Sequence, residues 1–338
     1  MAECSHWPVH GGPDALGVPR YDFSTNSNAV GPGPEALAAV QAADATRYPD
    51  PAYAALRKAL AAWHDVAPAR IVLAGSASEF IFRISAWVAR RHAGGGRVWL
   101  PAHGYGDYAR AAQAWGLALE AQPQSASLLW ACDPASPLGM PHPGLAALVE
   151  GLTEGQMCVL DSAYEPLRLQ GELSLSDAQR DRVWQLWTPN KALGLTGVRA
   201  AYAIAPHGAQ ALVTQLAAVA PSWPVGAHGV ALLHAWTLPT VQAWLAYSLA
   251  TLREWKQRQI RCCEALGWQV TPSVANFFCA RPASDDLAAD LQRLRAHGIK
   301  LRDTTSFGLP GQVRLGVLAP PAQDALMAAW TSIKEKQG

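Results

Sequence analysis

Charge is scarce in this chain of 338 residues: 27 Lys and Arg with 26 Asp and Glu make up 16% of it. An average chain carries about 25%. Net charge is +1, with no basic block, which speaks against a nucleic-acid or anionic-membrane partner. Long apolar runs are missing too. No stretch approaches the roughly 18 uninterrupted apolar residues of a membrane span. The opening MAECSHWPVHGGPD has no apolar h-region and no cleavage pattern, so no signal peptide is expected. Paired cysteine motifs are absent. Cys4, Cys132, Cys158, Cys262, Cys263 and Cys279 form no CxxC, which reads as free thiols in a reducing cytoplasm. His228 and His234 are spaced for different helix faces, and no HExxH occurs, so no metal site is expected. What is present is apolar mass, 50% hydrophobic residues with 14 Trp. That composition opposes disorder. It also leaves much apolar surface to hide, and the expectation is that a second subunit covers part of it.

Residues 1–33 are rich in Gly, Pro, Asn and Ser and read as an extended arm. Tyr53, Leu56, Leu60 and Trp63 recur at helical spacing. Short apolar runs then alternate with helical ones. Strands are expected at 70–73, 97–100, 117–121, 127–132, 157–161, 182–188 and 199–205, and helices at 79–91, 105–115, 144–152 and 207–218. That alternation predicts a parallel sheet covered on both faces. From 227 to 266 the pattern is helical with a break at Pro239. The remainder mixes strands at 268–271, 275–280 and 312–317 with helices at 285–297 and from 321, an α+β tail.

The most informative stretch runs from Thr188 through Lys191, Gly194, Gly197 and Arg199 to Tyr202, between two strand-like runs. A lysine set among apolar and turn-forming residues is not a solvated lysine. Burial favours the neutral amine, which can attack an aldehyde and form a Schiff base. Thr188 and Arg199 lie close enough in sequence to reach one phosphate.

This stretch resembles the lysine motif of the class I/II aminotransferases that use pyridoxal 5'-phosphate, S/T-x-x-K-x-x-G-L-x-G-x-R-x-x-Y. The resemblance implies that Lys191 carries the cofactor and shuttles a proton at the substrate α-carbon, and that Thr188 and Arg199 hold the cofactor phosphate. Upstream, Asp161-Ser-Ala-Tyr164 ends an apolar strand, at the sheet edge where α/β proteins bind ligands. In the family such an Asp faces the pyridine nitrogen and such a Tyr bonds the ring 3-oxygen. The opposite charge keeps the nitrogen protonated and makes the ring an electron sink. Gly75-Ser76-Ala77-Ser78-Glu79 joins a strand to a helix, whose free N–H groups suit the phosphate. Ser76, Ala77 and Ser78 are candidates, with Ser78 alternatively a plain helix cap. Tyr105 is the candidate for stacking on the ring, with His103 and Tyr108 as rivals.

One departure stands out. The family usually carries N-P-T-G, whose Asn bonds the ring 3-oxygen; Asp133-Pro-Ala-Ser136-Pro-Leu-Gly139 puts Ser136 there. On the substrate side, Arg314 sits in an otherwise apolar strand and matches the arginine that forks onto the α-carboxylate. Arg302 is a second anion contact, or an exposed charge paired with Asp303. Asn26 and Asn28 match the arm that lines the substrate mouth. Tyr48, in Tyr-Pro-Asp-Pro, matches a residue that reaches the phosphate across a dimer interface. His10-Gly11-Gly12 resembles the opening of threonine-phosphate decarboxylases of cobalamin synthesis, relatives of histidinol-phosphate aminotransferases.

The chain is thus identified as a fold-type-I α/β member: an arm over 1–30, a large cofactor domain with a mainly parallel sheet over 31–255, and a small α+β domain over 256–338. The implied enzyme is a cytoplasmic homodimeric aminotransferase acting on an amino acid or a phosphorylated amino-acid-like substrate. Decarboxylation on the same fold stays open, because which bond stands perpendicular to the ring is not written in the sequence. A non-catalytic homologue is the remote alternative, motivated by Ser136.

Overall fold

Side-chain alternation along short strands builds the frame. In the strand Ile71–Ala74, Ile71 and Leu73 enter one hydrophobic core while Val72 and Ala74 enter another. Leu128–Cys132 repeats the device, with Leu128 and Trp130 on one side and Leu129 and Ala131 on the other. Strands buried on both faces need helices on both faces. In the computed structural model, which describes residues 11–93 and 95–335, they have them. Cys4, His10 and most of the stretch read for a leader lie outside the described residues.

The large sheet has seven strands, in the order Ile71–Ala74, Ala201–Ile204, Trp184–Trp187, Met157–Asp161, Leu128–Cys132, Arg97–Trp99, Ala118–Glu120. The last five run parallel. Ala201–Ile204 is antiparallel to both of its neighbours. Register aligns Cys132, Asp161 and Leu186 at one carboxyl edge, where the functional side chains converge.

A second sheet of four antiparallel strands follows the order Arg302–Asp303, Val313–Gly316, Phe277–Arg281, Gln269–Val270. Its core holds Phe278, Leu315, Trp268 and Trp330, the two indoles meeting edge-on at 4.8 Å. The arm is bound to this part of the chain: Tyr21–Asp22 pairs in parallel with Ile299–Lys300, and Phe23 is fully buried in the same core. Gly316 permits the approach, because a Cβ there would stand 2.7 Å from the Thr25 carbonyl oxygen. The helix Pro239–Ala265 links the two sheets and continues unbroken through position 255. Pro239 is its first residue, a place where the missing N–H costs nothing. No helix among the described residues is long and apolar enough to cross a membrane.

The strand and helix expectations match the observed elements to within a few residues. Two helices have no counterpart among the expectations: Pro34–Gln41, between the arm and Tyr53 with Ala36 and Val40 buried, and the single turn Asp177–Arg180.

Candidate active site

A cavity of about 420 Å³ opens between the carboxyl edge of the large sheet, the arm and the small sheet. The loop carrying Lys191 leaves Trp184–Trp187 and returns at Ala201–Ile204. Gly194 turns it at φ +70°, and a Cβ there would meet the Pro32 Cα at 3.0 Å. Asn28 fixes the loop from the arm side. Its backbone N–H donates to the Lys191 carbonyl (2.9 Å), and its Nδ2 to the Ala192 carbonyl (2.9 Å) and Ser248 Oγ (2.7 Å). Asn28 is buried and does not line the cavity, so it holds the loop rather than the substrate mouth. Lys191 Nζ enters the cavity 5.4 Å from the centre of the Tyr164 ring. The lysine is half-buried rather than enclosed.

Asp161 ends its strand 4% exposed. Its Oδ1 accepts the Ala163 N–H at 3.0 Å and its Oδ2 the Tyr108 hydroxyl at 2.6 Å. Burial pushes this carboxyl up from the ordinary aspartate range, while the two hydrogen bonds and the charge of Lys191 pull the other way. Tyr164 Oη accepts from Asn26 Nδ2 at 3.3 Å, and the Oδ1 of Asn26 is buried without a partner among the described residues.

Ser76, Ala77 and Ser78 line the cavity at the start of the helix Ala77–Arg91. The cap is Ser76, whose Oγ accepts the Glu79 N–H at 3.1 Å; the Glu79 carboxylate in turn accepts from the Gly75 N–H at 3.1 Å. Ser78 is not the cap: its Oγ lies 3.1 Å from the Tyr105 hydroxyl. A helix start leaves N–H groups without intrahelical partners, a natural anion seat. Thr188 and Arg199 line the same cavity. Thr188 Oγ1 is buried without a partner among the described residues, and such an orphan costs about 1–3 kcal/mol unless something bonds it. That hydroxyl, the helix start and the lysine amine fit a phosphate-bearing aldehyde.

Of the three ring candidates, only Tyr105 lines the cavity. Tyr108 lies beneath, stacked on Trp130 at 4.5 Å, and His103 is tied to the Phe307 carbonyl at 2.7 Å.

The opposite wall is cationic. Arg314 pairs with Arg302 across neighbouring strands, and both are buried and line the cavity. Arg314 Nη1 donates to Ser136 Oγ (3.1 Å) and Nη2 to the Ser24 carbonyl (3.1 Å), while Nε has no partner among the described residues. Arg302 donates to Ser306 Oγ at 2.7 Å and to the Asp303 carbonyl at 2.5 Å; it is no exposed partner of the Asp303 carboxylate. Burial, then the Arg314 charge, lowers its proton affinity. Two facing guanidiniums in a cavity call for an anion. Tyr48 stands apart from the cavity, 78% exposed and stacked on Trp223 at 4.4 Å.

The cavity also holds residues that sequence reading passed over. Asn190, beside the lysine, is buried with its Oδ1 unpartnered among the described residues, and its position was the available signal. Arg110 lies at the rim, held by Asp107 at 2.6 Å. Phe307, against which both Arg302 (4.8 Å) and Arg314 (5.6 Å) lie, gave no sequence signal.

Comparison with known proteins accords with this arrangement. The family described as aminotransferase class I and II matches residues 16–331. A histidinol-phosphate aminotransferase of Paramagnetospirillum magneticum is 30% identical, covering 95% of this chain and 94% of its own length. The solved histidinol-phosphate aminotransferase of Sinorhizobium meliloti, in complex with pyridoxal-5'-phosphate, superimposes with a TM-score of 0.83 at 23% identity, covering 100% of this chain and 99% of that one. An L-threonine-O-3-phosphate decarboxylase of Porphyromonas gingivalis superimposes with a TM-score of 0.68 at 21% identity, covering 88% and 92%. The chain belongs to the aminotransferase class I and II family.

Proposed function

We propose that this enzyme binds pyridoxal 5'-phosphate in the cavity and transfers the amino group of an amino acid or a phosphorylated amino-acid-like amine. The observation that carries the reading is the placement of Lys191, Asp161 and Thr188 on one cavity faced by the Arg302–Arg314 pair. The bound cofactor supplies an electron sink for the pair of electrons left at the substrate α-carbon. The chain supplies the rest. Lys191 would hold the cofactor through its amine and, when that amine is free, would move the proton at the α-carbon. Asp161 holds the ring nitrogen and Tyr164 the ring 3-oxygen. Ser76, Ala77, Ser78, Thr188 and Arg199 hold the phosphate, and Tyr105 covers the ring face. Arg314 orients the carboxylate, Arg302 takes a second anionic group, and Asn26 lines the substrate side.

Three finer points belong to the same proposal. The large unit spans 31–255, with the arm 1–30 and residues 256–338 forming the smaller one; the pairing of Tyr21–Asp22 with Ile299–Lys300 supports this. The enzyme is a homodimer in which the exposed Tyr48 serves the phosphate of the neighbouring subunit, supported by its open stack on Trp223. It works in the reducing cytoplasm, supported by the free Cys132, Cys158, Cys262, Cys263 and Cys279.

Purified protein with pyridoxal 5'-phosphate is expected to show a visible absorption band that borohydride abolishes, and Lys191→Ala to lack it. Glutamate formation from 2-oxoglutarate with histidinol phosphate is the expected reaction. A colourless protein that takes up no cofactor refutes the reading. Decarboxylation is the second reading, supported by the resemblance of the His10-Gly11-Gly12 opening and by the likeness in fold to the L-threonine-O-3-phosphate decarboxylase. Release of CO2 from O-phosphothreonine, without glutamate formation, would establish it instead.

A further inference from the structure

Asp161 is held by a partner that the reading above leaves without a task. Tyr108 lies in the first turn of the helix Gly106–Ala114 and is 1% exposed. Its ring is pinned between two neighbours: stacked on Trp130 at 4.5 Å with planes 12° apart, and edge-on to Tyr105 at 5.9 Å. Held this way, the ring directs its hydroxyl to donate to Asp161 Oδ2 at 2.6 Å, with the Cys132 thiol also within reach of that hydroxyl. The other carboxylate oxygen takes the Ala163 N–H at 3.0 Å. The remaining titratable groups facing the carboxylate are Cys132 on the adjacent strand, Lys191 across the cavity and the Tyr105 hydroxyl.

We propose that Tyr108 is a positioning residue that sets where the proton lies between Asp161 and the ring nitrogen of the bound cofactor. This rests on the reading of Asp161 as the partner of that nitrogen. A carboxylate and a pyridine nitrogen share one proton, and the weaker base surrenders it. Burial makes Asp161 the stronger base, because a desolvated carboxylate is costly to keep ionised. A hydroxyl donating to it stabilises the ionised form and weakens it as a base. Tyr108 therefore opposes the burial of Asp161 and leaves the proton on the ring nitrogen. The stack on Trp130 fixes the donor, so little order has to be gained when the cofactor binds. Tyr108 does not line the cavity and acts on the cofactor through Asp161.

The test uses holoenzyme carrying cofactor isotopically labelled at the ring nitrogen, whose NMR shift separates the protonated from the free nitrogen. The expected result for Tyr108→Phe, which deletes one oxygen and keeps the stack, is a shift part of the way toward the free end. Its cofactor dissociation constant is expected to rise about tenfold, the order of one charge-assisted hydrogen bond. Asp161→Asn is expected to move the shift the whole way. Replacing Tyr108 by 3-fluorotyrosine keeps ring and hydroxyl but makes the hydroxyl a stronger donor, and is expected to hold the shift at or beyond the parent's protonated position. This variant carries the test if Tyr108→Phe does not fold. A shift unchanged in Tyr108→Phe while Asp161→Asn moves it would overturn the proposal, as would a 3-fluorotyrosine protein moved toward the free end. If Asp161→Asn itself leaves the shift unmoved, the reading of Asp161 fails and the proposal falls with it.

Discussion

Replacing Arg314 by Lys keeps the charge and removes the fork. The guanidinium is 7% exposed and already spends Nη1 on Ser136 Oγ and Nη2 on the Ser24 carbonyl, each at 3.1 Å. Both acceptors are neutral, so an incoming carboxylate competes well for the same N–H groups, since hydrogen bonds to ionised acceptors are roughly twice as strong. Two such bonds form with Arg and one with Lys. Losing one costs about 1.5–3 kcal/mol, or roughly 10- to 150-fold in affinity. The expected outcome is a KM for glutamate raised by that factor, with a smaller loss in kcat and the cofactor still bound. The assay is steady-state kinetics with glutamate as donor, beside the thermal midpoint to separate misfolding from lost contact. Arg302→Lys is the companion, expected to act more on a donor that carries a second anionic group. A glutamate KM within threefold of the parent in a folded, cofactor-bearing Arg314→Lys protein would place the carboxylate elsewhere and refute the reasoning.

His64, whose Nε2 lies 2.7 Å from the Tyr202 hydroxyl, is lowered to about 3 by burial, with the Arg180 charge adding to it. The unfolded imidazole takes up a proton below about 6.5 while the folded one resists until about 3. Its contribution is therefore complete above the unfolded value and is lost as pH falls, by up to about 2 kcal/mol at pH 5. Urea unfolding at neutral pH and at pH 5 should show a smaller acid loss in His64→Gln than in the parent; equal losses would refute this. Lys256, buried with Nζ on the Ser273 and Ala275 carbonyls, is lowered to about 8 by burial. Between that value and about 10.5 the unfolded chain binds the extra proton, so stability rises with pH there. Lys256→Met should lack that rise in urea titrations, which amounts to at most about 3 kcal/mol. Asn28→Ala strips the Ala192 carbonyl and Ser248 of a donor, and a lower urea midpoint worth about 1–3 kcal/mol is expected, with faster cofactor release.

Much of the frame was legible because it rests on local pattern. The strand ending in Asp161 is an uninterrupted apolar run, and such a run between helical segments has few alternatives. The helix Pro239–Ala265 was signalled by its own proline, which starts a helix as readily as it stops one. The helix Pro34–Gln41 escaped notice because its short apolar face, Ala36 and Val40, is set in Gly- and Pro-rich sequence. Its order comes from packing beside the helix Ala227–Trp236 rather than from propensity. The strands Tyr21–Asp22, Ile299–Lys300 and Arg302–Asp303 are two residues long each, too short for any periodicity.

The site divides along the same line. Lys191, Asp161 and Thr188 lie on or beside motifs continuous in sequence, and continuity made them readable. What sequence order hides is which side chain faces which across a strand pair. Arg302 read equally as a second anion contact and as a surface charge paired with Asp303, and only the register, which sets it buried against Arg314, separates the two. Tyr105 and Tyr108 were rivals for one task because they stand three apart on one helix start. The fold gives them different tasks, one at the cavity and one under Asp161. Asn28 shows the converse: strand alternation alone would put two asparagines two residues apart on one side, yet Asn26 meets Tyr164 while Asn28 meets the lysine loop. A motif can name the cofactor's attachment and still misplace the residues around it, because those are selected by the neighbours they face rather than by their position along the chain.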